Sequence, residues 1–245
     1  MMKNRSKKKI TALIIICAIL LISIVLGCLQ LFVYYLPEKR KREELERFVR
    51  EYYAAKLDTY ERENAEYGDY EVDVAFLGDS LTDGYDVKKY YPQYLVTNRG
   101  IGGETTFGLE QRLGVSLYEL KPKVAVVLIG ANNMDTMLEN YERMISDIRK
   151  TLPETRLIIC SLTSMGGDSW GEKNQLAAYN NVTLKLLAKK YGCPFVDLYS
   201  ALFNVETGEI YAEYTTDGGH LTSLGYEVLT EAITPAIEGV LGSGE

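Results

Sequence analysis

The run Val124-Ala125-Val126-Val127-Leu128-Ile129 carries no polar side chain. A strand has two faces, so a strand that is apolar at every position needs cover on both of them. A parallel sheet flanked by helices meets that condition. The neighbouring segments fit the same plan. Val72, Val74 and Phe76 alternate through an expected strand at Val72–Leu77, and Tyr94–Asn98, Arg156–Ser161 and Phe195–Leu198 read as further strands. Helices are expected over Glu104–Leu120, Leu138–Lys150, Asn174–Tyr191 and Leu221–Leu241. Five strands alternating with crossover helices predict a doubly wound α/β fold over residues 69–245. Its flavodoxin-like form is a three-layer α/β/α sandwich around a five-stranded parallel sheet.

Ahead of that domain the chain changes character. From Ile10 to Leu36 it is almost wholly apolar, which exceeds the ~20 residues needed to cross a bilayer as a helix. Tyr34 and Tyr35 stand at its far end, where interfacial aromatics belong. Three processing fates are open: an uncleaved anchor over 10–36, a cleaved signal peptide, and a lipoprotein signal at Val25-Leu26-Gly27-Cys28. The length of the apolar run favours the anchor. Residues 1–9 form a basic tail, and residues 37–68 a polar helix or linker. In that helix Leu45, Phe48 or Val49, Tyr52 or Tyr53, Leu57 and Tyr60 recur at helical spacing, so it reads as a spacer with one docked face. Basic residues flank the span on both sides (Lys3 to Lys9, and Lys39 to Arg50), so charge bias does not set its orientation. The expected localisation is a single-pass membrane protein with its α/β domain outside the cytoplasm.

Charge narrows the partners. Residues 1–50 hold 11 of the 27 Lys and Arg but only 4 of the 34 Asp and Glu. The remaining body is therefore acidic, which disfavours nucleic acid. One histidine, no paired cysteine ligands and no phosphate-binding lysine loop leave metal and nucleotide sites unsupported. Gly100-x-Gly102 has Thr105 where the third glycine of a dinucleotide loop belongs. Cys160 and Cys193 are expected as buried free thiols, too far apart for a disulfide.

In a doubly wound sheet, sites gather beyond the C-terminal strand ends. After the first expected strand stands Gly78-Asp79-Ser80-Leu81, and after the second Gly100-Ile101-Gly102-Gly103-Glu104-Thr105. Gly130-Ala131-Asn132-Asn133 follows the third, and Asp217-Gly218-Gly219-His220-Leu221 precedes the last helix. A serine hydroxyl needs an adjacent base to act as a nucleophile. His220 is the only histidine, so a Ser80–His220 mechanism must use it. Asp217, three residues earlier, can orient the ring. Backbone N–H groups of Ser80 and Gly103, with the Asn132 side chain, can hold an oxyanion. Each segment alone also reads as turn or helix-cap chemistry. Their coincidence, three beyond strand ends and one before the last helix, favours catalysis.

The four segments resemble the blocks of the SGNH (GDSL-type) hydrolase family, over about residues 72–242. That resemblance implies Ser80 as nucleophile, His220 as base, and Asp217 as the acid that orients it. It also implies an oxyanion hole of Ser80, Gly103 and Asn132. Asn133 departs from the family's usual Asp, which should change loop hydrogen bonding or the helix start without removing a catalytic group. No cofactor is implied. The expected partner is a glycan or lipid ester, or a smaller one, with an acetyl-like acyl group. Trp170, the only Trp, lies in the loop Met165–Trp170 as a candidate substrate-binding wall or a simple plug of a surface hollow. Rival functions are O-acyl transfer by the same groups, and a non-catalytic membrane-tethered binding module.

Overall fold

The computed structural model describes residues 2–242. Met1, residues 243–245 and the side chains of residues 2–6 and 8–10 lie outside the described part, and most of the expected basic tail falls there. The chain divides into two units, residues 1–55 and 56–245.

The first unit is helical. Helix α1 spans Met2–Gln30, a wider π-type turn covers Leu31–Tyr35, and α2 continues over Leu36–Asn64 into the second unit. An 18-residue window here has a mean hydropathy of 3.2 with none of it buried. Its length and composition suit a membrane span or a signal sequence. The apolar stripe expected along the polar helix is not covered throughout. Leu45, Phe48 and Val49 are exposed, and Tyr60 is the buried residue of α2.

The second unit is the sandwich. Strands β1 (Val74–Gly78), β2 (Val96–Gly100), β3 (Val124–Leu128), β4 (Arg156–Cys160) and β5 (Phe195–Val196) form one parallel sheet in the order β2-β1-β3-β4-β5. Period-two alternation divides each strand between two cores. Ala75, Leu77, Ala125, Val127, Leu157 and Ile159 face one core. That core is closed by α5 (Thr106–Gln111), α6 (Leu138–Thr151) and α8 (Asn174–Lys190). Val74, Phe76, Val124, Val126, Leu128 and Ile158 face the other. There the cover comes from α3 (Ser80–Asp83), α4 (Val87–Tyr90), α9 (Leu198–Leu202) and α10 (Ser223–Gly242). On α6 the buried Tyr141, Met144, Ile145 and Ile148 recur at three-to-four spacing, and on α10 Leu229, Ile233 and Ile237 repeat every four residues. The short helix α7 (Gly167–Trp170) and the hairpin β6–β7 (Phe203–Asn204 with Glu209–Ile210) lie between these elements. Cys160 is buried and Cys193 half-buried, and both are free thiols.

One expected helix is broken. Instead of running from Glu104 to Leu120, the chain forms α5 and then a wider turn over Gly114–Tyr118. Two side chains set where α5 begins. Thr105 caps α5, its Oγ1 accepting from Gly108 N at 3.1 Å, and Glu104 turns inward to meet Arg112. Both are almost wholly buried, with Arg112 Nε donating to Glu104 Oε2 at 2.9 Å. The same guanidinium donates to Gly78 O at 3.1 Å, Arg99 O at 3.0 Å and Ser116 Oγ at 2.8 Å. It therefore joins the C-terminal ends of β1 and β2. Removing one member of such a pair strands a buried charge and costs about 3–5 kcal/mol. Arg112→Leu and Glu104→Leu should each lower unfolding free energy by about that much. The double variant should lose less than their sum in a denaturant cycle, and strict additivity would contradict the coupling.

Candidate active site

Parallel strands deliver β1, β2 and β3 to one end of the sheet, and the loops after them carry the polar groups. Asp79 caps α3, with Leu81 N donating to its Oδ1 at 3.1 Å, so Ser80 opens the first turn of the helix. The Asp217–His220 turn is folded by its own hydrogen bonds. Thr215 Oγ1 accepts from Gly218 N at 2.8 Å and donates to His220 O at 2.7 Å, and Thr216 N donates to the same carbonyl at 2.9 Å. Gly218 has φ +90°, and a Cβ there would lie 1.8 Å from Gly166 O, so only glycine suits this turn.

Those local geometries bring three side chains together. Ser80 Oγ lies 3.0 Å from His220 Nε2, although 140 residues separate them. His220 Nδ1 lies 2.8 Å from Asp217 Oδ2. Asp217 Oδ1 accepts from the amides of His220 at 2.7 Å and Gly219 at 3.0 Å. What burial Asp217 has would raise its pKa, but these bonds from the His220 amide and ring and the Gly219 amide outweigh it. They hold the carboxyl well below the usual carboxylate range. With Asp217 ionised, the ring is held with its proton on Nδ1, and the Nε2 lone pair faces the serine hydroxyl. The dyad is open, with His220 and Asp217 side chains 43% and 45% exposed.

The remaining expected residues lie around this chain. Asn132 Nδ2 donates to Glu104 O at 2.9 Å, joining the loops after β2 and β3. Gly103 is exposed with φ +76°. Trp170 meets the imidazole edge-on, ring centroids 5.8 Å apart, and Lys173 Nζ lies 4.5 Å over the indole. Asn133 acts where a helix start was expected to feel it. Its Oδ1 accepts from Thr106 N at 3.1 Å, and its Nδ2 donates to Thr106 Oγ1 at 2.9 Å. Thr106 spends its hydroxyl proton on Asn140 Oδ1 at 2.7 Å, so that oxygen needs a donor, which an amide supplies and a carboxylate does not.

Two supporting residues escaped the sequence reading. Tyr226 on α10 donates to Leu81 O at 2.9 Å, pinning the helix that follows His220 to the one that carries Ser80. Asp79 is the other. Burial pushes its carboxyl up to about 6, against the lowering effect of the Leu81, Ala131 and Gly130 amides. A chain with 19 tyrosines offered a compositional hint of the first; the second showed only as a turn or cap residue of the Gly78–Leu81 segment, with no sign of its burial.

A hydroxyl, an imidazole and a carboxylate in series at the C-terminal strand ends of a three-layer sandwich form an arrangement suited to acyl transfer. A model of the GDSL-like lipase/acylhydrolase family matches residues 76–228, and the chain belongs to that family of ester hydrolases. Platelet-activating factor acetylhydrolase IB subunit alpha2 of Rattus norvegicus is 28% identical over 182 residues, covering 71% of this chain and 79% of that protein. Among solved structures, a GDSL-like lipase from Bacteroides thetaiotaomicron superposes with a TM-score of 0.67 at 24% identity, over 75% of this chain and 97% of that one. An acetyl xylan esterase from Geobacillus stearothermophilus shares the fold at TM-score 0.57 and 21% identity, over 69% and 95%.

The raised Asp79 carboxyl has a stability consequence. The native state holds its proton up to about pH 6, whereas an unfolded aspartate releases it near ~3.9. Between those values the native state binds more protons, so this group's contribution falls as pH rises and levels off above about 6. Urea unfolding of wild type and Asp79→Asn at pH 4 and pH 7 should show the difference shifting toward the variant at pH 7, by roughly 2–3 kcal/mol. A difference independent of pH would contradict a raised Asp79.

Proposed function

We propose that this chain is a membrane-anchored serine ester hydrolase that removes a small, acetyl-like acyl group from a carbohydrate or lipid ester outside the cytoplasm. The observation that carries the reading is the continuous series Ser80 Oγ–His220 Nε2 (3.0 Å) and His220 Nδ1–Asp217 Oδ2 (2.8 Å).

Ser80 Oγ attacks the acyl carbon as its proton passes to His220 Nε2, and the new positive charge on the ring is stabilised by Asp217. The carbonyl oxygen becomes an oxyanion facing the backbone N–H groups of Ser80 and Gly103 and the Asn132 amide. Collapse breaks the ester C–O bond, and His220 returns the proton to the departing alkoxide. Water then attacks the acyl-serine, again giving its proton to His220, and the second collapse frees the carboxylic acid and the Ser80 hydroxyl. Trp170, at the edge of the imidazole, serves as a wall for the alcohol portion of the ester.

The substrate class is supported by the names of two similar proteins, one an acetylhydrolase and the other an acetyl xylan esterase. Half-exposed His220 and Asp217 side chains support hydrolysis ahead of transfer to a second alcohol, because a transferase must keep water from its acyl-serine. The apolar α1 supports anchoring. Fluorophosphonate labelling followed by intact mass measurement should add one phosphonyl group to wild type and none to Ser80→Ala. Aryl acetate turnover should fall by about 10⁶ in that variant, as in other serine enzymes stripped of the nucleophile. Equal labelling of the two proteins would end the assignment of Ser80.

A further inference from the structure

The last turns of α2 lie in the same unit as the catalytic residues. Tyr60, only 2% exposed, donates its hydroxyl to Gly100 O at 2.6 Å. Gly100 ends β2, three residues before Gly103. A Cβ on Gly100 would lie 2.2 Å from Asp83 N, so this glycine packs directly on the backbone of α3, the helix that Ser80 begins. Asn98 tightens the same junction, its Nδ2 donating to Thr82 O at 2.6 Å and its Oδ1 accepting from Gly100 N at 2.8 Å.

The neighbouring residues of α2 hold the other parts of this junction. Arg99 has no exposed surface, so its charge needs partners inside the protein. Its Nη1 lies 3.0 Å from Glu63 Oε2, its Nη2 donates to Asn64 Oδ1 at 3.0 Å, and its guanidinium stands 4.7 Å from the Tyr60 ring centroid. Burial lowers the Arg99 pKa and the Glu63 carboxylate opposes that fall. Lys56 pairs with Asp83, the last residue of α3. Residues 56, 60, 63 and 64 share one helical face, and that face touches the ends of both segments that carry the proposed nucleophile and oxyanion glycine. None of the four falls within residues 76–228, the part matched to the family.

We infer that residues 56–64 are a positioning element of the catalytic centre, with Tyr60 as its key residue. The Tyr60 hydroxyl fixes the Gly100 carbonyl, and Gly100 fixes both the start of the Ile101–Gly103 loop and its contact with α3. The Gly103 N–H is thereby held at one height relative to Ser80. A donor that must meet an oxyanion at ~2.7–3.1 Å tolerates little drift, so loosening this strut weakens transition-state binding more than ground-state binding. The inference depends on the roles proposed for Ser80 and Gly103.

Steady-state kinetics on an aryl acetate, with the full-length chain in detergent micelles, tests it. Tyr60→Phe keeps the ring beneath Arg99 and removes only the hydroxyl. Its kcat should fall about tenfold with KM within about twofold, a signature of an interaction felt in the transition state. Glu51→Gln, an exposed change on the same helix but outside residues 56–64, should leave both constants unchanged. In a Gly103→Ala background the further loss from Tyr60→Phe should shrink below about twofold, because coupled residues are not additive. If Tyr60→Phe fails to fold by thermal melt, Glu63→Gln is read in the same way. A rise confined to KM, or an undiminished loss in the Gly103→Ala background, would overturn the inference. A wild type labelled at Ser80 with a kinetically silent Tyr60→Phe would overturn it alone. An unlabelled wild type would instead bring down the reading of the site, and this inference with it.

Discussion

Ser80 Oγ and His220 Nε2 meet at 3.0 Å across 140 residues of sequence, and every layer of the domain is needed to make that contact. The serine is at the mouth of β1, which lies between β2 and β3 in the sheet. The histidine is in a turn closed by Thr215 and leads into α10, which packs on the core face formed by Val74, Phe76, Val126 and Ile158. Burial of Leu229, Ile233 and Ile237 fixes that helix against the sheet, and Tyr226 joins it to α3 through Leu81 O. In an arrangement of this kind a misplacement of about 1 Å can cost about 10²-fold in rate.

Positioning extends inward from the contact. The Arg112 guanidinium reaches Gly78 O, Arg99 O and the Glu104 carboxylate at once, so the strand end before Ser80 and the loop that carries Gly103 share one buried cation. Glu104 also receives Asn132 on its carbonyl oxygen. The loops after β1, β2 and β3 are thus tied together by hydrogen bonds among their own groups. This is what electrostatic preorganisation requires: donors held in place before charge develops, with no reorganisation during the step.

Much of this was legible because chemistry constrains residue types at strand ends. The apolar run Val124–Ile129 demanded a sheet covered on both faces, and a lone histidine left a single base for any serine. Asp217 three residues before His220 could be read as its partner because a tight turn brings such positions together. What was not legible depends on contacts between distant segments. Periodicity alone drew one helix from Glu104 to Leu120, but the chain caps it at Thr105 and widens it into a π-type turn over Gly114–Tyr118. Asp79 read only as turn or cap chemistry, and its burial beneath the loop after β3 shows only in the folded chain. Tyr60 looked like one more aromatic on a charged helix, and only the folded chain shows it bonded to Gly100. Trp170 was assigned to a loop after β4, yet its position against the imidazole depends on the path of the Asp217–His220 turn.

The most direct measurement is a crystal structure of the fluorophosphonate adduct. A phosphorus atom bonded to Ser80 Oγ is expected, with the phosphonyl oxygen ~2.7–3.1 Å from the amide nitrogens of Ser80 and Gly103 and from Asn132 Nδ2. His220 Nε2 should face the leaving-group side. A phosphonyl oxygen turned to solvent, away from Gly103 and Asn132, would contradict the preorganised site.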